Sequence, residues 1–405
     1  MNSIRQFELN SWIDTHENHD TLDMSTTVSS PALSIDDLIA LSTDSEATRR
    51  ALSLGSVPLT YGDPNGSEDL RHSIASLYTN SQVTSGHIIT TSGAVAGNHI
   101  VFSALICPGD HIICMYPVYE QLYKISQALG AEVTFWKLKE SNGWSADMQC
   151  LRQAIRENTK MIVLCSPNNP TGAYLPTAVQ HSILKLVEVH DIILMVDEVF
   201  RPMFHFSPNH EEEPASFLES GYEKCIVTSS CSKSYGLPGI RVGWIATLSN
   251  DFIRRFTQIR NYTTISVGLV DEIIAAEVLS PRCRLSLLQR SSDMAKANLR
   301  FLREFVAKNQ LITWTPTHAS TSTLIRLHNK DGSPLNDQEF ALEFLKANNI
   351  LFCPASLCFE EGGQGSLQGY LRLGFVMSPA TFRHGLEKLA DFVEAWPIFN
   401  KAVSG

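Results

Sequence analysis

Five times between Ile88 and Thr228 a short, unbroken apolar run stops abruptly in polar, often glycine-bearing sequence. Ile88-Ile89 gives way to Thr90-Thr91-Ser92-Gly93, Ile112-Ile113-Cys114-Met115 to Tyr116-Pro117, and Met161-Ile162-Val163-Leu164-Cys165 to Ser166-Pro167-Asn168-Asn169-Pro170-Thr171-Gly172. Ile192-Ile193-Leu194-Met195-Val196 runs into Asp197-Glu198, and Cys225-Ile226-Val227-Thr228 into a segment centred on Lys233. A strand with one wet face alternates apolar and polar residues; these do not, so both faces must be buried, as in a parallel sheet covered by helices. The expectation is an α/β fold whose large domain has a mostly parallel sheet sandwiched by helices. In such sheets ligands bind at the carboxyl ends of the strands, where each polar stop falls.

Beyond this region the pattern changes. Leu285, Leu287, Leu288, Met294, Leu299, Leu302, Phe305 and Val306 recur at roughly helical spacing, predicting a long helix over Pro281 to Asn309. Strands are expected at Thr323 to Leu327, Ile350 to Phe352 and Tyr370 to Phe375, and a helix at Pro379 to Ala395. The expected division is an N-terminal segment over residues 1–45 that joins the smaller domain or lies over the site, a large domain over 46–284, and a smaller α+β domain over 285–405.

Asp and Glu outnumber Lys and Arg by 42 to 32, a net charge of −10 that opposes binding to nucleic acid or anionic membranes. The sequence from Met1 to Asn10 lacks a secretory apolar stretch, and no later run has the length of a membrane span, so a cytoplasmic protein is expected. Nine cysteines without close pairing suit reduced thiols better than a disulfide framework, and no histidine spacing indicates a metal site.

Lys233 lies in Ser229-Ser230-Cys231-Ser232-Lys233-Ser234-Tyr235-Gly236-Leu237-Pro238-Gly239-Ile240-Arg241. A desolvated lysine loses its proton readily and attacks carbonyl carbons, the basis of Schiff-base chemistry with pyridoxal phosphate. Such a site also needs an acid against the ring nitrogen, and Asp197 at an apolar strand end supplies one, although an Asp there serves equally as a helix cap. It needs phosphate ligands. Ser92, Gly93 and Ala94 open a helix after a strand, where backbone N–H groups meet anions, though small residues also serve strand-to-helix packing. Ser230 offers a hydroxyl and Arg241 a forked guanidinium; alone, an arginine after a glycine reads as a surface residue. Asn169 sits in a loop stiffened by prolines and a glycine, Tyr119 offers an aromatic face, and Arg372 offers two parallel donors to a carboxylate or to a structural ion pair.

The set S-P-N-N-P-T-G, D-E-V-F and S-S-C-S-K-S-Y-G-L-P-G-I-R-V-G-W, in this order, resembles the class I and II aminotransferases of the fold type I pyridoxal-phosphate enzymes from about Tyr61 to Arg372. The resemblance implies seven strands in the large sheet, Lys233 as the Schiff-base lysine and proton shuttle, Asp197 on the pyridine nitrogen and Asn169 on the ring phenolate. It further implies Ser92, Gly93, Ala94, Ser230 and Arg241 around the phosphate, Tyr119 stacked on the ring and Arg372 on the substrate carboxylate. Tyr61, in Tyr61-Gly62-Asp63-Pro64-Asn65-Gly66, matches the tyrosine that reaches the phosphate of a neighbouring subunit, implying a homodimer with shared sites. One position departs from the pattern. Phe200 stands where many relatives carry a tyrosine that hydrogen-bonds the phenolate.

Two chemistries follow. In the first, a transaminase acts on an α-amino acid and releases a 2-oxo acid. In the second, the electron pair left at Cα goes to oxidation, elimination or cyclisation. Phe200 motivates the second, as do Leu9 to Glu17 and Leu33 to Leu38, which resemble the start of the group containing capreomycidine synthases and pyridoxal-dependent arginine oxidases. By that resemblance Glu17, Asp14 or Asp23 would meet a guanidinium, while a solvated amphipathic helix explains the same charges. Arg260 is a further candidate for a distal carboxylate.

Overall fold

The computed structural model describes residues 4–206, 213–362 and 365–403, with side chains as far as Trp396. In chain order its strands are β1 Leu22–Asp23, β2 Ile88–Thr91, β3 His111–Tyr116, β4 Glu132–Lys137, β5 Thr159–Cys165, β6 Ile193–Asp197, β7 Cys225–Ser230 and β8 Gly243–Ala246, followed by β9 Ile312–Trp314, β10 Ser322–Leu327, β11 Ile350–Leu351, β12 Cys353–Pro354 and β13 Tyr370–Gly374. Four of the five expected runs, β3, β5, β6 and β7, form the parallel centre of a seven-stranded sheet ordered β2-β8-β7-β6-β5-β3-β4, while the fifth, β2, lies at its edge. Only β8 runs against its neighbours; the pairs from β7 through β4 are parallel.

The absence of alternation in these runs has the anticipated cause. Successive residues enter two separate apolar clusters: Leu194 and Val196 pack on one face of the sheet, Ile193 and Met195 on the other. The same division separates Ile162 and Leu164 from Met161 and Val163. Each face is therefore a core, and no water-facing row remains on the central strands.

The long helix spans Pro281–Lys308, with proline in its first turn where no N–H is needed. It leads to a four-stranded antiparallel sheet ordered β12-β13-β10-β9. The C-terminal helix is longer than expected, Pro379–Val403, and runs past Ala395 through Pro397 rather than ending before it. Phe352 falls between two short strands rather than inside one. No described helix is long and apolar enough to cross a membrane.

The N-terminal segment is stitched to the smaller sheet. Strand β1 pairs with β11, Trp12 Nε1 donates to the Phe352 carbonyl at 2.9 Å, and Gly374 N donates to the Met24 carbonyl at 2.8 Å. At Gly374 a Cβ atom would lie 1.9 Å from the Thr26 oxygen, so only glycine allows the two backbones to run together. The other end of the segment is held by a buried ion pair. Lys124 Nζ donates to Glu120 Oε1 at 2.6 Å and to the Gln6 carbonyl at 3.0 Å, while Glu120 Oε2 accepts the Glu8 N–H at 2.8 Å.

Removing one member of a buried pair strands the other charge. Lys124→Ala should therefore destabilise the protein by about 3 kcal/mol, read as a lower denaturation midpoint. The apolar double substitution Glu120→Leu with Lys124→Met should recover most of that loss.

Candidate active site

The carboxyl ends of β5, β6 and β7 open into a cavity of about 210 Å³. Asp197, the last residue of β6, aims into it and is 5% exposed. Its Oδ1 accepts the Val199 N–H at 3.0 Å and its Oδ2 accepts Asn98 Nδ2 at 3.0 Å. Asn98 is fixed in turn, because its oxygen accepts Thr228 Oγ1 at 2.7 Å and its amide reaches Gln121 Oε1 at 3.2 Å. Burial dominates these hydrogen bonds and the nearby Lys233 charge, and pushes the Asp197 carboxyl above its usual range. Among the described residues no cation forms an ion pair with it. Glu198 turns to the opposite side, where Ser216 Oγ donates to it at 2.7 Å and the Phe217 N–H at 2.9 Å.

Lys233 lies at the same cavity, and its Nζ donates to Thr27 Oγ1 at 2.7 Å. Its pKa falls from 10.5 to about 8, first through desolvation, then through the positive charges of Arg372 and Arg241; Asp197 and Asp23 act the other way. The neutral, nucleophilic form, negligible for an ordinary lysine near neutral pH, thus becomes a substantial minority of the amine.

At one rim, Ser92 precedes the Gly93–Leu105 helix. Gly93 has φ +77°, and a Cβ there would lie 2.5 Å from Arg241 Nη2, so the glycine admits the guanidinium to the helix start. Gly243 lets that helix start approach the sheet, for a Cβ on it would be 2.5 Å from Ala94 N. Ser230 ends β7 beside them and lines the cavity, as do Ala94 and the solvent-exposed Arg241.

The loop after β5 divides labour between adjacent asparagines. Asn168 is fully buried and ties the turn together, accepting Thr171 Oγ1 at 2.7 Å and donating to the Pro117 carbonyl at 3.2 Å. Asn169 is left to face the cavity, where its Oδ1 accepts Arg372 Nη1 at 3.4 Å. Arg372 comes from β13 of the smaller sheet and is 3% exposed. Its Nη2 has only the Cys353 sulfur at 3.8 Å and its Nε has no hydrogen-bond partner, so the guanidinium meets no carboxylate among the described residues. Tyr119 lines the wall with its phenol pushed up to about 12, mainly by burial, and Phe200 lines it without a hydroxyl.

Of the residues read from the sequence, Ala94, Tyr119, Asn169, Asp197, Ser230, Lys233, Arg241 and Arg372 meet in this cavity. Ser92 and Gly93 stand just behind Ala94. Tyr61 is 78% exposed and lies outside it. Glu17, just past the Glu8–His16 helix, is exposed and off the lining; Leu9, Asn10 and Ile13 of that helix are the residues that line it. Arg260 is buried away from the cavity, within the fields of Glu272 and Asp63. Sequence reasoning passed over Asn98 and Thr27. An amide within the apolar stretch Ala94 to Leu105 was a signal for the first; nothing local marks the second, which is 206 residues from its lysine.

A buried acid in want of a cation, a glycine-opened helix start facing an arginine and an unpaired guanidinium together suit a pyridinium ring bearing a phosphate and joined to a carboxylate. The sheet that carries them is that of the fold type I pyridoxal-phosphate enzymes. The chain belongs to the class I and II aminotransferases, whose family model, "Aminotransferase class I and II", matches residues 41–389. The solved structure of a PLP-dependent aminotransferase from Streptococcus suis 89-1591 superposes with a TM-score of 0.87 over 97% of this chain and 98% of its own, at 32% identity. Capreomycidine synthase of Streptomyces vinaceus is 31% identical over 216 residues, 53% of each chain, so the match spans about half the length of that relative. The aspartate/prephenate aminotransferase of Thermus thermophilus is 25% identical over 353 residues, 85% of this chain and 86% of its own. The protein is a pyridoxal-phosphate-dependent transferase.

The lowered lysine has two measurable consequences. Acetylation of Lys233 in the cofactor-free protein, followed by mass spectrometry against pH, should titrate with a midpoint of about 8. Between that value and the ordinary 10.5 the unfolded chain binds the proton that the folded chain has released, so this residue's contribution to stability rises with pH across that window.

Proposed function

We propose that the enzyme acts on an α-amino acid, transferring its amino group, with Lys233 as the cofactor's anchoring amine and the base that carries the Cα proton. Bound pyridoxal phosphate supplies an electrophilic carbon and an electron sink. The remaining work falls to this chain. Asp197 holds the ring nitrogen's proton, Asn169 hydrogen-bonds the ring oxygen, and Tyr119 stacks on the ring. Ser92, Gly93, Ala94, Ser230 and Arg241 hold the phosphate. Arg372 takes the substrate carboxylate, and it is the observation that carries this reading: a 3% exposed guanidinium, at the same cavity as a reactive lysine, without a carboxylate to pair with among the described residues. Two copies form the active dimer, each lending its exposed Tyr61 to the other's phosphate. Nine free thiols support a cytoplasmic setting.

A second reading keeps the site and alters the outcome toward oxidation, elimination or cyclisation of an arginine-type substrate. Phe200 favours it, since it lines the cavity without the hydroxyl that would steady the ring oxygen, and so does the likeness to capreomycidine synthase. In this reading Glu17 meets the guanidinium. Although Glu17 is exposed, partial desolvation and the charges of Asp23 and Asp14 raise its carboxyl, a crowding that a cation would relieve.

An amino-acid screen read by mass spectrometry, with and without a 2-oxo acid acceptor, separates the two. Products that require the acceptor support transamination; oxygen uptake or ammonia release without it supports the second outcome. Lys233→Ala should lose borohydride-trapped cofactor and lower turnover by roughly 10²–10⁴-fold or more. Cofactor still trapped in that variant would overturn the assignment. Arg372→Leu should cost about 10–100-fold in kcat/KM, the worth of charged hydrogen bonds, while leaving trapped cofactor in place.

A further inference from the structure

Thr27 is 7% exposed, lines the cavity, and presents its hydroxyl oxygen 2.7 Å from Lys233 Nζ. It belongs to none of the segments that carry the cofactor site. Its own carbonyl accepts Thr321 Oγ1 at 2.8 Å, at the approach to β10. On either side, the Met24 carbonyl accepts the Gly374 N–H at 2.8 Å and the Ser30 N–H reaches the Val376 carbonyl at 2.9 Å. Thr27 therefore rides on the strand that carries Arg372, while Lys233 rides on the large sheet. A lysine amine on four methylenes has many rotamers, and a single fixed acceptor selects among them.

We propose that Thr27 is a positioning residue for Lys233: whenever the amine is not bonded to cofactor, the threonine hydroxyl receives it and registers it against the strand that holds the substrate carboxylate. This deepens the functional reading above and rests on it. The hydroxyl accepts an N–H from the amine, so it favours the protonated form. Around Lys233 the other charges come from Arg372 on β13, Arg241 after the Pro238–Ile240 turn, Asp197 on β6 and Asp23 on β1, and the Tyr119 phenol lines the same cavity. None of these is altered by changing Thr27, which isolates its effect.

The test is the pH titration of Lys233 acetylation by acetic anhydride in the full-length, cofactor-free protein, comparing wild type with Thr27→Val, Thr27→Ala and Thr27→Ser. Val keeps the shape, Ala removes bulk and Ser keeps the hydroxyl. Loss of one hydrogen bond to a charged group should move the midpoint downward by about one unit in Val and Ala, with Ser matching wild type. In the cofactor-loaded enzyme the acidic limb of kcat should shift with it while KM for the amino acid stays the same. A Val or Ala midpoint equal to wild type, or a Ser midpoint that follows Val, overturns the proposal. The titration needs no cofactor, so its failure is distinct from that of the functional reading, which the borohydride experiment on Lys233→Ala decides separately.

Discussion

Desolvation at the carboxyl edge of the sheet governs this protein. Three ionisable groups, Asp197, Lys233 and Arg372, are drawn out of bulk water into one cavity, and each responds in the direction burial dictates or lacks its natural counter-ion. The acid is held above its ordinary range, the amine below its own, and the guanidinium meets no carboxylate among the described residues. Taken singly, each is an unfavourable arrangement. Together they suit one kind of occupant, with a cationic ring nitrogen, an electrophilic carbon and a carboxylate, which is the chemistry proposed above.

Much of this was legible in the chain, for a physical reason. Strands buried on both faces leave an uninterrupted apolar signature, and the residue that ends such a run is placed at the sheet edge by covalent connectivity alone. Asp197, Asn169 and Lys233 could be read in this way. Arg372 was legible for a different reason, as a lone charge inside an apolar strand. What could not be read were the contacts made across long stretches of chain. Thr27 has no sequence signal because its role depends on how the N-terminal segment is laid along β13. Asn98 hid among small residues that looked like a phosphate cradle, and the amide proved to brace the acid instead.

The N-terminal segment shows how function is distributed over the fold. It is anchored by the Lys124–Glu120 pair at one end and by β11 and β13 at the other, and between these anchors it supplies cavity wall and the acceptor for Lys233. The candidate acids of this region, Glu17 among them, stand outside the lining, whereas apolar Leu9 and Ile13 are on it. Charge near a site and contact with its contents are separate properties, and helical spacing distributes them to different faces.

Asp197 and Glu198 are chemically near-twins, yet one faces the cavity and the other is fastened to Ser216 and Phe217 on the reverse side. The strand thus acts as an indexing device with a step of one residue. Deleting a single residue within β6 would present the glutamate, one methylene longer, to the cavity, inserting one would present Val196 there, and either would turn the aspartate to the opposite face of the sheet. Gain or loss of residues is therefore tolerable in the connections around this sheet but not within its central strands, whose length in residues fixes which side chain faces the cavity.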